Sequence, residues 1–319
     1  MNLLKEIFVT PFVEMARAPD FLLQVLWEGL VSGVLYALIA LGFVLIYRSS
    51  RIFNFAQGIM VVFAALTLVG LHELGIPAWV SVLLTLAVML GLAIVIERVV
   101  LRPLVGQPDI ILFMATIGIT LFLIGFGEII FGGENKVMIT SELGIPTGDV
   151  VLEPFGGLLI LQDIDITTVV VAGLLVVLLL AFLNRTRMGR AIRALGDDHQ
   201  AALSVGISLQ TIWVLVWFIA GIIALVTGIA WGSRAGVSFA LEVIAYKALP
   251  VLMLGGLESI SGAIIGGLMI GMLEKLFEIY WGAPLLGGNT ESWFAYVFAL
   301  IVLLFRPQGL FGEKIIERV

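Results

Sequence analysis

The sequence predicts an all-α, polytopic membrane protein with about nine transmembrane crossings, in a range of about eight to ten, some of them broken or half-depth helices. Three observations carry that prediction. Hydrophobic residues make up 61% of the 319 and charged residues only 13%, roughly half the charged share of a soluble domain. Mean hydropathy is +1.16. The apolar residues are gathered into charge-free stretches of about 20 residues, the length that spans a bilayer. Backbone in hydrocarbon must satisfy its own hydrogen bonds, and stretches this long and uniformly apolar do not alternate as barrel strands do, so helices follow.

The chain divides into three parts. Residues 1–20 read as an amphipathic lead-in, with Leu3, Leu4, Ile7, Phe8, Phe12 and Met15 at helical spacing. Lys5, Glu6, Glu14, Arg17 and Asp20 leave no apolar core there for a cleaved signal peptide. Residues 21–306 form one transmembrane domain with spans at 29–47, 52–71, 76–96, 110–127, 166–184 and 207–233, each free of Asp, Glu, Lys and Arg. Two less regular stretches follow: 243–279, broken around Gly255-Gly256-Leu257-Glu258, and the short 292–305. Residues 307–319 make a cytoplasmic tail.

Basic residues orient these spans. Arg48 and Arg51 follow the first, Arg98 and Arg102 the third, Arg185, Arg187, Arg190 and Arg193 the fifth, and Arg306, Lys314 and Arg318 close the chain. The loop 132–165 is acidic but for one lysine, with Glu134, Glu142, Asp149, Glu153, Asp163 and Asp165. The positive-inside rule puts the arginines in the cytoplasm and that loop outside. Returning Arg306 inside from Arg234 outside then requires an odd number of crossings over 243–305. Three fit: 243–256 inward, 258–279 outward and 292–305 inward, with the N-terminus of the whole chain outside. At about 1.5 Å per residue, 243–256 is too short for an ordinary span and reads as a broken or half-depth helix.

Several chemistries are excluded at once. There is no cysteine, hence no disulfide, thiolate metal site or cysteine nucleophile. His72 and His199 fall in loops on opposite sides of the membrane and cannot share a metal or acid/base site. No metal site, no catalytic constellation and no nucleic-acid partner is expected. A G-x-x-x-x-G-K-[ST] phosphate loop is absent, so the chain is not itself an ATPase. Glu28, Glu128, Glu242, Lys247 and Glu258 lie in or beside apolar stretches. Glu28 and Glu128 read as snorkelling to the outer interface, and Glu242 and Lys247 pair with each other or elsewhere. Trp79, Trp213, Trp217, Trp231, Trp281 and Trp293 read mostly as belt anchors near span ends.

Three places break the lipid pattern. The loop 185–208 combines arginines with the small residues Ala191, Ala194, Ala201 and Ala202, and Gly206 allows a tight turn into the next span. It suits either docking to a soluble partner or an ordinary positive-inside loop. Asn54, Gln57 and Gly58 interrupt a charge-free stretch, and isolated amides there must face protein or a water-lined cavity. Gly255, Gly256, Ser259, Ser261 and Gly262, with Gly266 and Gly267, mark a second interruption. The two breaks together suggest a translocation path or gate, while small residues equally mark close helix packing.

The sequence also resembles a known family. Gln200-Ala201-Ala202-x-x-x-Gly206 resembles the EAA-x-x-x-G loop of ABC-importer permeases, with Gln in place of Glu. The run Met188-Gly189-Arg190-Ala191-Ile192-Arg193-Ala194 with Asp198 and Gly206 is similar to the permease subunits of branched-chain amino-acid ABC importers. So are Tyr36-Ala-Leu-Ile-Ala-Leu-Gly42, Ile52-Phe-Asn-Phe-Ala-Gln-Gly58, Ile96-Glu-Arg98 with Arg102-Pro103, Leu254-Gly-Gly-Leu-Glu-Ser-Ile-Ser-Gly262 running on to Gly267, and Arg306-Pro-Gln-Gly-Leu-Phe-Gly312. The likeness runs in order from Leu26 to Gly312 and is nearer the H-type than the M-type subunit.

The resemblance implies a subunit of a bacterial inner-membrane importer, paired as a heterodimer with a sister permease. Two cytoplasmic ATPases bind the ATP and magnesium, this chain holds no cofactor, and an external binding protein delivers substrate. Residues 188–206 are then the ATPase coupling helix, with Gln200 removing a charge and any salt bridge from that position. Branched-chain or related small amino acids are the implied substrates, and urea or short-chain amides share the same architecture. A secondary transporter or channel is the reading of another class. It would have no need of the docking loop and would show buried acids for ion coupling. An intramembrane enzyme lacks any catalytic grouping.

Overall fold

The computed structural model describes residues 2–197, 202, 204 and 206–312. Among them, six helices are long and apolar enough to cross a membrane: Pro19–Ser50, Ala78–Leu104, Asp109–Phe131, Asp163–Arg185, Leu209–Ala235 and Ile260–Leu286. Gln57–Glu73 and Glu291–Phe305 are shorter and also apolar. The chain is an all-α, multi-pass membrane protein, and its expected spans fall on these helices except for 243–256, which none of them covers.

In chain order, α1 (Asn2–Phe8) and α2 (Thr10–Arg17) form the lead-in. The bundle comprises α3 (Pro19–Ser50), α4 (Gln57–Glu73), α5 (Ala78–Val95), α6 (Asp109–Phe131), α7 (Asp163–Arg185), α8 (Arg187–Asp197), α9 (Leu209–Ala235), α10 (Glu242–Ala245), α11 (Ala248–Gly255), α12 (Ile260–Phe277) and α13 (Glu291–Phe305). The lead-in is anchored, not free: the Trp281 indole N–H donates to the Ile7 carbonyl at 2.9 Å, and Phe12 meets that ring edge-on.

The long helix α3 is the central post, buried over most of its length. Its close partner is α12, and the reason is side-chain size. An added Cβ at Gly29 would stand 2.7 Å from Met272 Cα, and one at Gly33 would stand 2.8 Å from the Gly267 carbonyl. Gly271 and Gly267 meet Gly33 and Ala37 in return. Where lipid supplies no hydrophobic drive between helices, such close backbone approach is what holds them. Elsewhere α5, α6 and α7 present Leu83, Phe122 and Val177 outward, as lipid-facing helices do.

Three features depart from the sequence reading. The acidic loop contains a small antiparallel hairpin, β1 (Asp149–Leu152) with β2 (Leu159–Gln162). Trp213 and Trp217 are core residues, not belt anchors: both are buried under neighbouring helices, whereas Trp79 and Trp293 are exposed. After Val95 the helix widens into a π-helical turn, Ile96–Leu101. That turn puts residues five apart on one face, and there Arg102 grips the buried Glu97 through two hydrogen bonds of 3.1 Å.

Two passages through the bundle are discontinuous. Past Arg51 the chain is not helical over 52–56, and α4 begins at Gln57. Gln57 lies against Gly42, about 13 Å up α3 from Arg51, so α4 starts near mid-depth. Conversely, 236–241 descends as irregular chain and a short turn, and α10 and α11 complete the passage. The eight residues of α11 reach only about 12 Å, a half-depth helix. The two breaks touch where a Cβ on Gly58 would stand 2.7 Å from Ala245 Cβ. From that point α4 runs to one end of the molecule and α11 to the other.

Candidate functional site

The basic end of the bundle gathers two of the three segments in which the lipid pattern fails, α8 and the 255–262 turn, and the third, 52–58, leads from it toward mid-depth. Helix α8 is amphipathic. Gly189, Ile192, Leu195 and Gly196 face the bundle, while Arg187, Met188, Arg190 and Ala194 are exposed. Only glycine fits at two of the inner positions, since a Cβ at Gly189 would collide with the Leu183 carbonyl and one at Gly196 with that of Arg48. Arg193 folds back to Asn184 Oδ1 at 2.8 Å, and Ala191 is partly covered. Gly206 adopts φ +85°, the left-handed turn that glycine permits. Ala202, expected on a docking face, is instead buried within its own chain. Asp198, Gln200 and Ala201 lie outside the described residues.

Arg51 ties this helix to both breaks. It caps α3 in the left-handed region at φ 58°, an uncommon conformation for a residue with a Cβ. Its guanidinium donates to the Gly196 carbonyl of α8 at 3.2 Å and forms an ion pair with Glu258. Glu258 stands in the turn between α11 and α12. One side chain therefore touches α8, adjoins the 52–56 break and holds the 256–259 turn.

The glycine and serine cluster makes that turn. Gly256 ends α11 at φ +95° and its N–H reaches the Leu252 carbonyl. Ser259 caps α12 by accepting from Gly262 N–H at 3.0 Å, with Ser261 Oγ 3.1 Å away. Gly255 and Gly262 press backbone to backbone. The tail closes over it, Leu310 N–H donating to the Leu254 carbonyl at 2.7 Å. A cavity of about 340 Å³ opens beside the turn, bordered by Arg48, Asn184, Arg193, Ser259 and Phe311.

Asn54 and Gln57 are wholly buried. Asn54 Oδ1 accepts the Ala56 N–H at 3.1 Å, which turns the chain into α4. The Gln57 amide N–H reaches the Ala220 carbonyl at 3.4 Å, and its Oε1 has no partner. Both amides face protein.

A buried charge cluster joins Lys247, singled out in the sequence, to Glu274, which was not. Glu274 on α12 is 1% exposed. Lys247, in the joint between α10 and α11, donates to its Oε1 at 2.5 Å and to the Tyr36 hydroxyl at 3.2 Å. Tyr36 in turn donates to Glu274 at 3.2 Å. Lys247 thus pairs with Glu274 and not with Glu242, which accepts instead from the Tyr246 hydroxyl at 3.3 Å. At the acidic end, Lys136 pairs with Glu73 and Arg234 with Asp165. Glu128 is exposed at the end of α6, while Glu28 is half-buried and accepts from Gln24.

Residues 25–306 match the family model described as branched-chain amino acid transport system / permease component. The chain is 32% identical to the high-affinity branched-chain amino acid transport system permease protein BraD of Pseudomonas aeruginosa, over 93% of this chain and 98% of the relative. It is 30% identical to the permease protein LivH of Salmonella typhimurium over 94% and 98%. To a probable branched-chain amino acid transport permease protein LivH of Methanocaldococcus jannaschii it is 31% identical over 91% and 92%.

Proposed function

This chain belongs to the family of branched-chain amino acid transport system permease components, and on that premise we propose that it is a transmembrane subunit of an ABC importer for branched-chain or related small amino acids. It works in a bacterial inner membrane beside a sister permease, two cytoplasmic ATPases that bind ATP and magnesium, and an external binding protein. The chain itself holds no cofactor and is no enzyme. Nine crossings fit this reading: six long helices, the two shorter ones and the broken passage 236–255, with the basic end inside.

The observation that carries the mechanism is the clamp of Arg51 on Gly196 and Glu258. The exposed face of α8 seats in an ATPase, with Met188, Arg190 and Ala194 at the contact. Nucleotide-driven closure displaces α8. Arg51 passes that displacement to the 52–56 break and, through Glu258, to the turn that joins α11 to α12. Discontinuous helices are the elements able to rearrange without unravelling a full span. An exposed ion pair contributes only about 0–1 kcal/mol to stability, so the clamp serves geometry and not folding.

The test is transport by the reconstituted complex. Arg51→Gln should leave assembly and the thermal midpoint near wild type while cutting uptake about tenfold or more at an undiminished hydrolysis rate. Ala194→Trp should weaken ATPase association itself. Wild-type uptake in both variants would overturn the coupling route.

A further inference from the structure

We propose that the side of the broken passage formed by Glu242, Val243, Tyr246 and Lys247 lines the aqueous translocation path, and that the Lys247 ammonium is the fixed cation presented there to the carboxylate of a zwitterionic substrate. The proposal rests on the permease reading above and names a surface and a residue within it. Four observations carry it.

The backbone here is discontinuous near mid-depth, between the irregular 236–241 and the start of α11. Non-helical chain at membrane depth is tolerated only inside protein or beside water. Next, this chain leaves the stretch uncovered: Val243 is 64% and Tyr246 38% exposed. It is also polar. The Lys247 side chain retains 23% of its surface, Glu242 is half-buried, and the Tyr246 hydroxyl turns to Glu242. A charged group facing hydrocarbon there costs about 2.5–3.5 kcal/mol or more, which excludes lipid as the neighbour. By contrast, α5, α6 and α7 expose unbroken apolar rows.

The fourth observation is how the lysine is held. Glu274 and Tyr36 take two of its three donors. Both of those partners are buried, so the ammonium is fixed from behind and the remaining donor is left for the exposed side. Glu274 neutralises the charge, and the lysine side chain keeps 23% of its surface open. A carboxylate passing this point meets a preorganised donor, and a neutral leucine-like side chain meets Val243.

The chain contains no cysteine, so single cysteines report without background. In the assembled complex in proteoliposomes, Val243→Cys and Tyr246→Cys should react with a sulfonate-bearing methanethiosulfonate about tenfold or more faster than Leu83→Cys on the lipid face. Modification is read as a mass shift of this chain. Reaction only with an apolar maleimide, as at a lipid face, or no reaction, as under a covering subunit, overturns the path assignment. For the ammonium, Lys247→Met/Glu274→Met removes the pair together and avoids stranding a buried charge. It should lower uptake about tenfold at an unchanged hydrolysis rate, while Lys247→Arg retains most uptake. Uptake by the double variant within about twofold of wild type overturns the role of Lys247. Labelling needs no turnover, so cysteine variants that label as expected beside a wild-type complex that accumulates no amino acid count against the permease reading alone.

Discussion

At the scale of single residues, the buried polar groups divide by what each does for its neighbours. Asn54 satisfies the Ala56 N–H at the entrance to α4. Asn54→Leu strands that donor in a dry interior and should cost about 1–3 kcal/mol. Gln57 is the opposite case, with an unpartnered Oε1 and one long hydrogen bond. Gln57→Met should leave stability unchanged or raise it, measured as the thermal midpoint of the purified complex in detergent. A loss at Gln57 equal to that at Asn54 would contradict this division. Both amides were legible as interruptions of an apolar run, because polarity is written in the residue type. Their complete burial was not, since it depends on α9 and α3 closing over them. Glu274 escaped notice for a related reason. It sits beside Lys275 near the end of a span, where charges are ordinary, and its partner Tyr36 is 238 positions away. Composition shows that a charge exists, and only the fold shows what surrounds it.

Among the elements, the pairing of α3 with α12 rests on absent side chains. Gly29, Gly33 and Ala37 lie one turn apart on one helix, and Gly267 and Gly271 meet them from the other. Gly33→Leu must push the helices apart or force side chains off their rotamers. Overpacking of this kind typically costs about 1–3 kcal/mol, and the backbone contacts here place Gly33 at the upper end. Gly118→Leu on α6, with open space around it, should be silent by the same measurement. The seam also explains why the clamp can transmit movement, since α12 follows the turn that Glu258 occupies and lies locked to α3. The half-depth character of 243–256 and the break at 255–258 were readable beforehand, because a span that must cross within too few residues has to be irregular. The hairpin at 149–162 was not, because its four-residue strands are exposed or half-buried and leave little alternation to read. The π-helical turn was hidden too, and with it the pairing of Glu97 with Arg102, although both residues lie in a stretch that carries the family likeness.

For the whole molecule, the charge pattern and the folded chain agree on a division into ends. Arg51, α8 and the 306–312 segment meet at one end. The Lys136–Glu73 pair, the hairpin and the Arg234–Asp165 pair lie at the other. That separation constrains the topology more tightly than any count of apolar helices. If 236–255 failed to cross, α12 would begin on the side opposite Arg51, and the ion pair of Glu258 with Arg51 could not form. On the proposed topology the contact therefore calls for a full passage from a segment whose longest regular helix is only eight residues. Cysteines introduced into this cysteine-free chain test the consequence directly. Ser141→Cys should react with an impermeant maleimide on intact cells, whereas Arg190→Cys and Gln308→Cys should react only after the membrane is opened. Labelling of Gln308→Cys from outside would remove one crossing and, with it, the discontinuous passage on which both the coupling route and the path through Lys247 depend.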